Sequence, residues 1–149
     1  MKLTERVAAD LVAAMKERAE LRLSVLRMLK AEFQRAQADK GRAAELTEDD
    51  AQMLVRRLIK QRKEAAEQYR AAGAAERAEA ELAEAAVLEV YLPAQLGDAE
   101  LDALVAEAAK EIGAASPRDM GKLMRVLMLR VAGRADGNRV KERVTAFFA

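Results

Sequence analysis

The sequence contains neither cysteine nor histidine among its 149 residues. Disulfide bonds, thiolate metal sites and cysteine nucleophiles are therefore excluded within this chain. The lack of histidine likewise excludes catalysis by a Ser–His or Cys–His pair and metal binding through imidazole. The glycines are single residues between helical segments, and no phosphate loop of the Walker or Rossmann type is present. We therefore expect no cofactor and no metal site.

Aromatic residues and long apolar runs are also scarce. Aromatic side chains make up 3% of the chain, which argues against a base-stacking platform for nucleic acids. No segment approaches the roughly 20 consecutive apolar residues that span a bilayer. Asp10 and Glu17 interrupt the first apolar segment, which argues against a secretory signal. We expect a soluble, cytoplasmic protein that has no membrane partner.

The residues that are present favour an all-α fold. The chain is 52% hydrophobic and 34% charged, with only two prolines, and no segment alternates with the period of a strand. Pro93 removes a backbone donor and disfavours helical geometry at Leu92. We therefore predict two domains: a long helical hairpin, multihelical, over residues 1–92, and a compact three-helix domain over residues 93–149.

Apolar periodicity and capping signals predict four helices in the first domain. They span Leu3–Arg18, Glu20–Ala38, Thr47 to about Ala72, and Ala74–Leu92. Thr4 is a predicted cap of the first helix, in which Val7, Leu11 and Met15 share a face. Thr47 is the predicted cap of the third helix.

Three helices are predicted in the second domain. Asp98 is expected to cap the first of them, and Ser116 the second. Gly133 is expected to end the second helix in a left-handed conformation, after which Asp136 caps the last. The apolar side of the second helix includes methionines that we expect to fill the core. Its residues recur at helical spacing: Met120, Leu123, Met124, Leu127, Met128 and Val131.

The net charge of +1 conceals a strong division along the chain. Residues 1–73 carry 16 basic and 12 acidic side chains, residues 74–115 carry 2 and 10, and residues 116–149 carry 8 and 3. An acidic middle between basic ends allows attraction within the chain. It equally allows a basic end to meet phosphates.

Two basic groups are candidates for binding phosphates. The first combines Arg118, Lys122 and Arg125, which share a helix face, with Arg134 and Arg139 beside the start of the last helix. The alternative is a polar outer face, or a partner for the acidic fourth helix. The second group consists of Lys60, Arg62 and Lys63. Its alternative is a solvated face with Lys60–Glu64 and Lys63–Glu67 pairs.

Six stretches of the chain carry a family resemblance. They are Leu23–Lys30, Leu46–Asp50, Lys60–Lys63, Glu89–Leu96, Met120–Met124 and Gly133–Gly137. In this order they resemble the YqeY family and the related tail domain of the B subunit of the tRNA-dependent amidotransferase. The resemblance covers nearly the whole chain. One departure is Leu129, where the family often has proline.

The resemblance implies a tRNA-associated accessory protein. In the amidotransferase subunit the similar tail domain helps to recognise tRNA, so the basic residues named above are expected to touch an RNA backbone. Two alternatives remain open. One is a carbon–nitrogen ligase activity with glutamine as amido-N-donor, which rests on the family label alone, since we find no nucleotide loop and no amidase-type Ser–Ser–Lys arrangement. The other is a protein adaptor that docks a partner on the N-terminal hairpin, where the segment from Glu76 to Glu89 is acidic.

Overall fold

The computed structural model describes the chain from Met1 to Ala149. It consists of seven α-helices and one short 3₁₀ helix, without strands, which confirms the predicted all-α class. The helices are α1 (Leu3–Glu17), α2 (Glu20–Lys40), α3 (Glu48–Ala71), α4 (Ala75–Glu89), α5 (Asp98–Ile112), the 3₁₀ helix (Pro117–Asp119), α6 (Met120–Val131) and α7 (Gly137–Phe148). None of them is both long enough and apolar enough to cross a lipid bilayer.

The chain divides into two compact units, Met1–Leu92 and Pro93–Ala149. In unit 1, α1 with α2 and α3 with α4 form two helical hairpins. α2 contacts all three of the other helices. The side chains of Val25, Leu26 and Leu29 on α2 are accordingly exposed by 2% or less. The second helix of the unit therefore lies between the others.

The start of α1 differs from the prediction. The helix begins at Leu3, and the predicted cap Thr4 lies inside it. The backbone N–H of Leu3 donates to the carboxylate of Glu48, at 3.0 and 3.2 Å from its two oxygens. A free N–H at a helix start needs an acceptor, and a side chain from the first turn of α3 supplies it here.

Met15 does not share the burial of Val7 and Leu11, whose helix face it was predicted to extend. Met15 is 52% exposed, whereas Ala14 is fully buried. Ala14 follows Leu11 by three residues and so continues the inward stripe, while Met15 lies one residue further round the helix. The small side chain at position 14 gives no sequence signal of its burial.

The end of α4 is fixed to α1 by a buried tyrosine. Tyr91 is 4% exposed, and its hydroxyl donates to Oδ2 of Asp10 at 2.6 Å. The guanidinium of Arg6 lies 4.8 Å from the ring centroid and donates to the carbonyl of Val90 at 3.1 Å. Burial and the neighbouring Asp10 carboxylate raise the pKa of Tyr91 to about 12. The Glu89–Leu96 stretch therefore contains a structural anchor of unit 1.

Unit 2 is a three-helix arrangement of α5, α6 and α7. Its core is entirely apolar and is built from Leu96, Leu101, Val105, Ala108, Ala109, Leu123, Leu127, Val131, Ala135, Val140 and Val144. Met120 and Met124 pack against this core, as predicted. Met128 does not fill it, since its side chain is 41% exposed.

Two predicted helix starts of unit 2 need correction. Gly97, not Asp98, is the residue that precedes α5, and Asp98 is the first helical residue. Ser116 makes no side-chain capping bond and precedes the 3₁₀ helix, so α6 starts only at Met120. Gly133 follows α6 in the left-handed conformation, as predicted, and Ala132 before it, with φ of 47°, is left-handed as well. Asp136 does cap α7, because its carboxylate accepts a hydrogen bond from the Asn138 N–H at 2.9 Å.

The connection between α2 and α3 is held by a predicted cap and an ion pair. The hydroxyl of Thr47 accepts from the Asp50 N–H at 3.0 Å, which confirms the cap. The carboxylate of Asp50 accepts from the Thr47 N–H at 3.1 Å and pairs with Lys40 at the end of α2. Lys40 and then Thr47 lower the pKa of Asp50 from 3.8 to about 2.

We predict that Asp50→Asn destabilises unit 1 in a pH-dependent way. A carboxyl group whose pKa is lower in the folded state contributes stability above its unfolded pKa and loses it as the pH falls through the folded pKa. The difference in urea midpoint between wild type and Asp50→Asn should therefore be complete above pH 3.8 and shrink as the pH falls towards about 2. A difference that stays constant over this range would contradict the assignment. Asp49→Asn, which changes an exposed carboxylate of the same turn, is the control.

Candidate nucleic-acid interface

Two arginines of α7 are paired with two aspartates of α5. Nη2 of Arg139 lies 2.7 Å from Oδ1 of Asp98. Four residues further along both helices, Nε and Nη2 of Arg143 donate to the two oxygens of Asp102, at 2.6 and 2.5 Å. The bidentate bond lowers the pKa of Asp102 and raises that of Arg143. We call these two pairs the α5–α7 ladder.

A third cation of unit 2 is also neutralised by α5. Arg130, in the last turn of α6, pairs with Glu111 near the end of α5. This contact raises the pKa of Arg130. Three of the five acidic residues on α5 are thus directed at arginines of the other two helices.

Arg134 holds the segment that enters unit 2. Its Nε donates to the carbonyl of Ala94 at 3.0 Å. Its own backbone carbonyl accepts from the Leu96 N–H at 2.8 Å, and its N–H donates to the carbonyl of Val131. The Gly133–Gly137 stretch therefore acts as a clamp between the turn after α6 and the segment that precedes α5.

These contacts engage two residues of the predicted surface. Arg134 and Arg139 were expected to flank the start of the last helix, and both make contacts within unit 2. Arg134 is bonded to Ala94, and Arg139 is paired with Asp98. Both side chains are half-buried and contribute to the internal structure of unit 2.

The other three predicted cations remain together and unpaired. Arg118, Lys122 and Arg125 are exposed and take part in none of the ion pairs of unit 2, which involve Arg130, Arg139 and Arg143 instead. They follow one another at spacings of four and three residues, so they share one side of α6 and of the turn before it. The opposite side carries Leu123, Leu127 and Val131, all fully buried. We call Arg118, Lys122 and Arg125 the α6 stripe.

The exposed side of α6 continues beyond its cations. Leu129 follows Arg125 by four residues and is 80% exposed, the highest exposure of any large apolar residue within the helices. α6 runs without interruption through this position. The chain thus presents a leucine directly next to the α6 stripe, at the position where the resemblance leads one to expect proline.

The predicted basic group of unit 1 is largely neutralised. Nε of Arg62 lies 2.9 Å from Oε2 of Glu84, and Nζ of Lys63 lies 2.9 Å from Oε1 of Glu89. Lys60 forms the predicted pair with Glu64 at 4.0 Å. The predicted Lys63–Glu67 pair is wrong, because Lys63 reaches across to α4 instead. This group therefore joins α3 to the glutamate-rich α4.

Carboxylates do not gather into a metal-binding arrangement. No three acidic side chains lie close enough together to hold a metal ion. No charged residue of the chain is buried as a whole.

A comparison with known protein families gives a match over nearly the whole chain. The family model described as Yqey-like protein matches residues 4–148. The chain belongs to the YqeY family. No curated protein matches it. The match includes both units of this YqeY-family protein and all eight of the candidate cations.

Sequence reasoning missed the pairs that decide which cations are free. Asp98 and Asp102 are four residues apart, as are Arg139 and Arg143, so each pair occupies one helix face. This matching periodicity was the available signal. It gave no indication of which helix faces meet, because the partners are 41 residues apart.

We predict that Arg139→Ala destabilises unit 2, whereas Lys141→Ala on the same helix does not. Loss of a partly exposed ion pair costs about 0.5 kcal/mol, and the deficit should shrink in high salt, which screens it. Lys141 is exposed and makes no ion pair, so its removal should change the free energy of unfolding by less than about 0.5 kcal/mol. Urea denaturation at low and high salt measures both variants. Equal free energies of unfolding for the two variants would contradict the structural role assigned to Arg139.

Proposed function

We propose that this YqeY-family protein binds the backbone of a structured RNA, with tRNA as the favoured partner, through the α6 stripe. The single observation that carries the proposal is that Arg118, Lys122 and Arg125 remain unpaired on one exposed face. By contrast, Arg130, Arg139 and Arg143 form ion pairs with acidic residues of α5. Three adjacent cations that form no ion pair attract a polyanion.

The distribution of charge within unit 2 supports this proposal. α6 contains Lys122, Arg125 and Arg130 but no acidic residue, whereas α5 contains five acidic residues and one lysine. Because α5 neutralises cations on its own side of the unit, the positive potential concentrates on the outer face of α6. Such a face steers a negatively charged partner towards it.

The size of the α6 stripe suits a short run of phosphates. Arg118 and Arg125 are seven residues apart, which corresponds to about 10 Å along a helix. Long, mobile lysine and arginine side chains can reach two or three phosphates of one strand over that length. Contacts of this kind position a nucleic acid without reading its sequence. The resemblance to the tail domain of the amidotransferase B subunit directs the proposal to tRNA.

We expect binding of tRNA that weakens steeply with salt, and a weaker salt dependence in Lys122→Ala/Arg125→Ala. Each phosphate contact contributes about 0.7 to 0.9 to the slope of log affinity against log salt concentration, so the loss of two contacts should lower the slope by roughly 1.5. Filter binding over a salt series measures this slope.

The matched control is Lys110→Ala/Lys141→Ala. It removes two exposed, unpaired cations from α5 and α7 and so changes the net charge of the protein equally. A slope that changes by the same amount in both variants would show a non-specific charge effect and contradict the assignment to α6. If the affinity of the wild type for tRNA does not change with salt, the proposal of RNA binding is contradicted.

The catalytic alternative is tested with the same preparation. The purified protein is incubated with ATP, glutamine and tRNA charged with glutamate, and conversion to the glutaminyl form is measured. We expect no turnover. Conversion above that of a blank without the protein would show that this chain has the carbon–nitrogen ligase activity. That activity would then replace the proposed function.

A protein partner on unit 1 is the second candidate. Of the acidic residues in the α4 segment, Glu81, Glu84 and Glu89 lie against Arg62 or Lys63, so this segment is not a free acidic surface. The observation that favours docking is the outer side of α1, where Val12 and Met15 are 49% and 52% exposed. Val12→Lys/Met15→Lys would abolish such a contact without altering RNA binding at α6.

A further inference from the structure

The Leu23–Lys30 stretch is one of the six stretches that carry the family resemblance, and it has no part in the interface proposed at α6. Its apolar residues Val25, Leu26 and Leu29 are buried in unit 1. Its polar residues lie on the opposite side of α2, and this side continues one turn further along the helix. The exposed polar residues on it follow one another at three or four residues: Ser24, Arg27, Lys30 and Gln34. We call them the α2 face.

The cations of the α2 face have no partner within the chain. The ion pairs of α2 involve Arg22, Arg35 and Lys40. Neither Arg27 nor Lys30 belongs to one, and both are exposed. This arrangement repeats in unit 1 the feature that distinguishes the α6 stripe in unit 2.

The acidic residues of α2 lie away from this face or at its far end. Between Glu20 and Asp39 the helix contains a single carboxylate, Glu32. It is half-buried and paired with Arg35 at 3.0 Å. The two cations at positions 27 and 30 therefore have no negative charge between or beside them on their own helix face.

We infer that the α2 face is a second contact for RNA phosphates. The inference rests on the proposed function and extends it: unit 1 contributes its own cations to the same polyanionic ligand. Arg27 and Lys30 supply the charge. The hydroxyl of Ser24 and the amide of Gln34 supply neutral donors at the two ends of the face.

The composition of the α2 face favours RNA over an acidic protein. Protein interfaces depend on apolar or aromatic anchors at their centre, and this face has none: its exposed apolar residues are the small Ala31 and Ala38. Contacts to phosphates use arginine, lysine, serine and glutamine side chains, which is the set present here. The two alanines leave room for a sugar–phosphate backbone to approach the helix.

The experiment compares Arg27→Ala/Lys30→Ala with Lys16→Ala/Arg70→Ala in the full chain. The control pair removes two exposed, unpaired cations elsewhere on unit 1 and matches the change in net charge. We expect the first variant to lower the salt slope of tRNA binding by roughly 1.5 and the affinity at 0.1 M salt by about 10-fold or more. The control should change both by much less. Circular dichroism establishes that each variant stays folded.

The outcomes separate this inference from the proposed function. If Lys122→Ala/Arg125→Ala lowers the slope but Arg27→Ala/Lys30→Ala behaves like its control, the α2 face is not an RNA contact and the α6 assignment stands. If the α2 variant alone lowers the slope, the inference stands and the α6 assignment fails. If the wild type shows no salt-dependent binding, both are overturned.

Crosslinking provides a second readout that does not depend on the stability of a variant. A photoactivatable residue at Ala31, in the middle of the α2 face, should form a covalent adduct with tRNA on irradiation. The same residue at Ala8, exposed on α1, is the control. Adducts at both positions or at neither would overturn the inference. A protein adduct at Ala31 from cell extract, without an RNA adduct, would assign the face to an acidic protein instead.

Discussion

The α5–α7 ladder decides which positive charges of unit 2 remain available to a ligand. Asp98 and Asp102 neutralise two arginines of α7, and Glu111 neutralises Arg130. Without these carboxylates the cations of unit 2 would be spread over several faces. With them, the unpaired cations adjacent to one another are those of the α6 stripe. The candidate interface is therefore a consequence of an internal pairing pattern as much as of its own residues.

Because the cores of both units are apolar, the charged side chains that form this pattern lie at the surface. Both units bury only hydrophobic side chains, apart from the tyrosine that is anchored to Asp10. Surface charges contribute little to stability and are screened by salt. The free cations can therefore serve binding at small cost to the fold. The same reasoning makes salt dependence the natural signature of any ligand that they hold.

Local features of the structure were predictable, and long-range pairings were not. Thr47 and Asp136 cap their helices, and Gly133 is left-handed after α6, because these signals act within a few residues. Asp98, predicted as a cap, is the first residue of α5 and pairs with Arg139 of a distant segment. The same limitation applied to the candidate site. Grouping Arg118, Lys122 and Arg125 needed only helical periodicity, whereas the engagement of Arg134 and Arg139 depended on tertiary contacts.

The most direct test of the central claim is a map of backbone amide shifts by nuclear magnetic resonance as unmodified tRNA is added to the full chain. The account predicts that, within unit 2, the largest changes fall on the α6 stripe and on the exposed positions next to it, Gly121 and Leu129. Amides of the α5–α7 ladder should remain nearly unchanged, because their side chains are engaged internally. Changes centred on the ladder, or none in α6, would contradict the account.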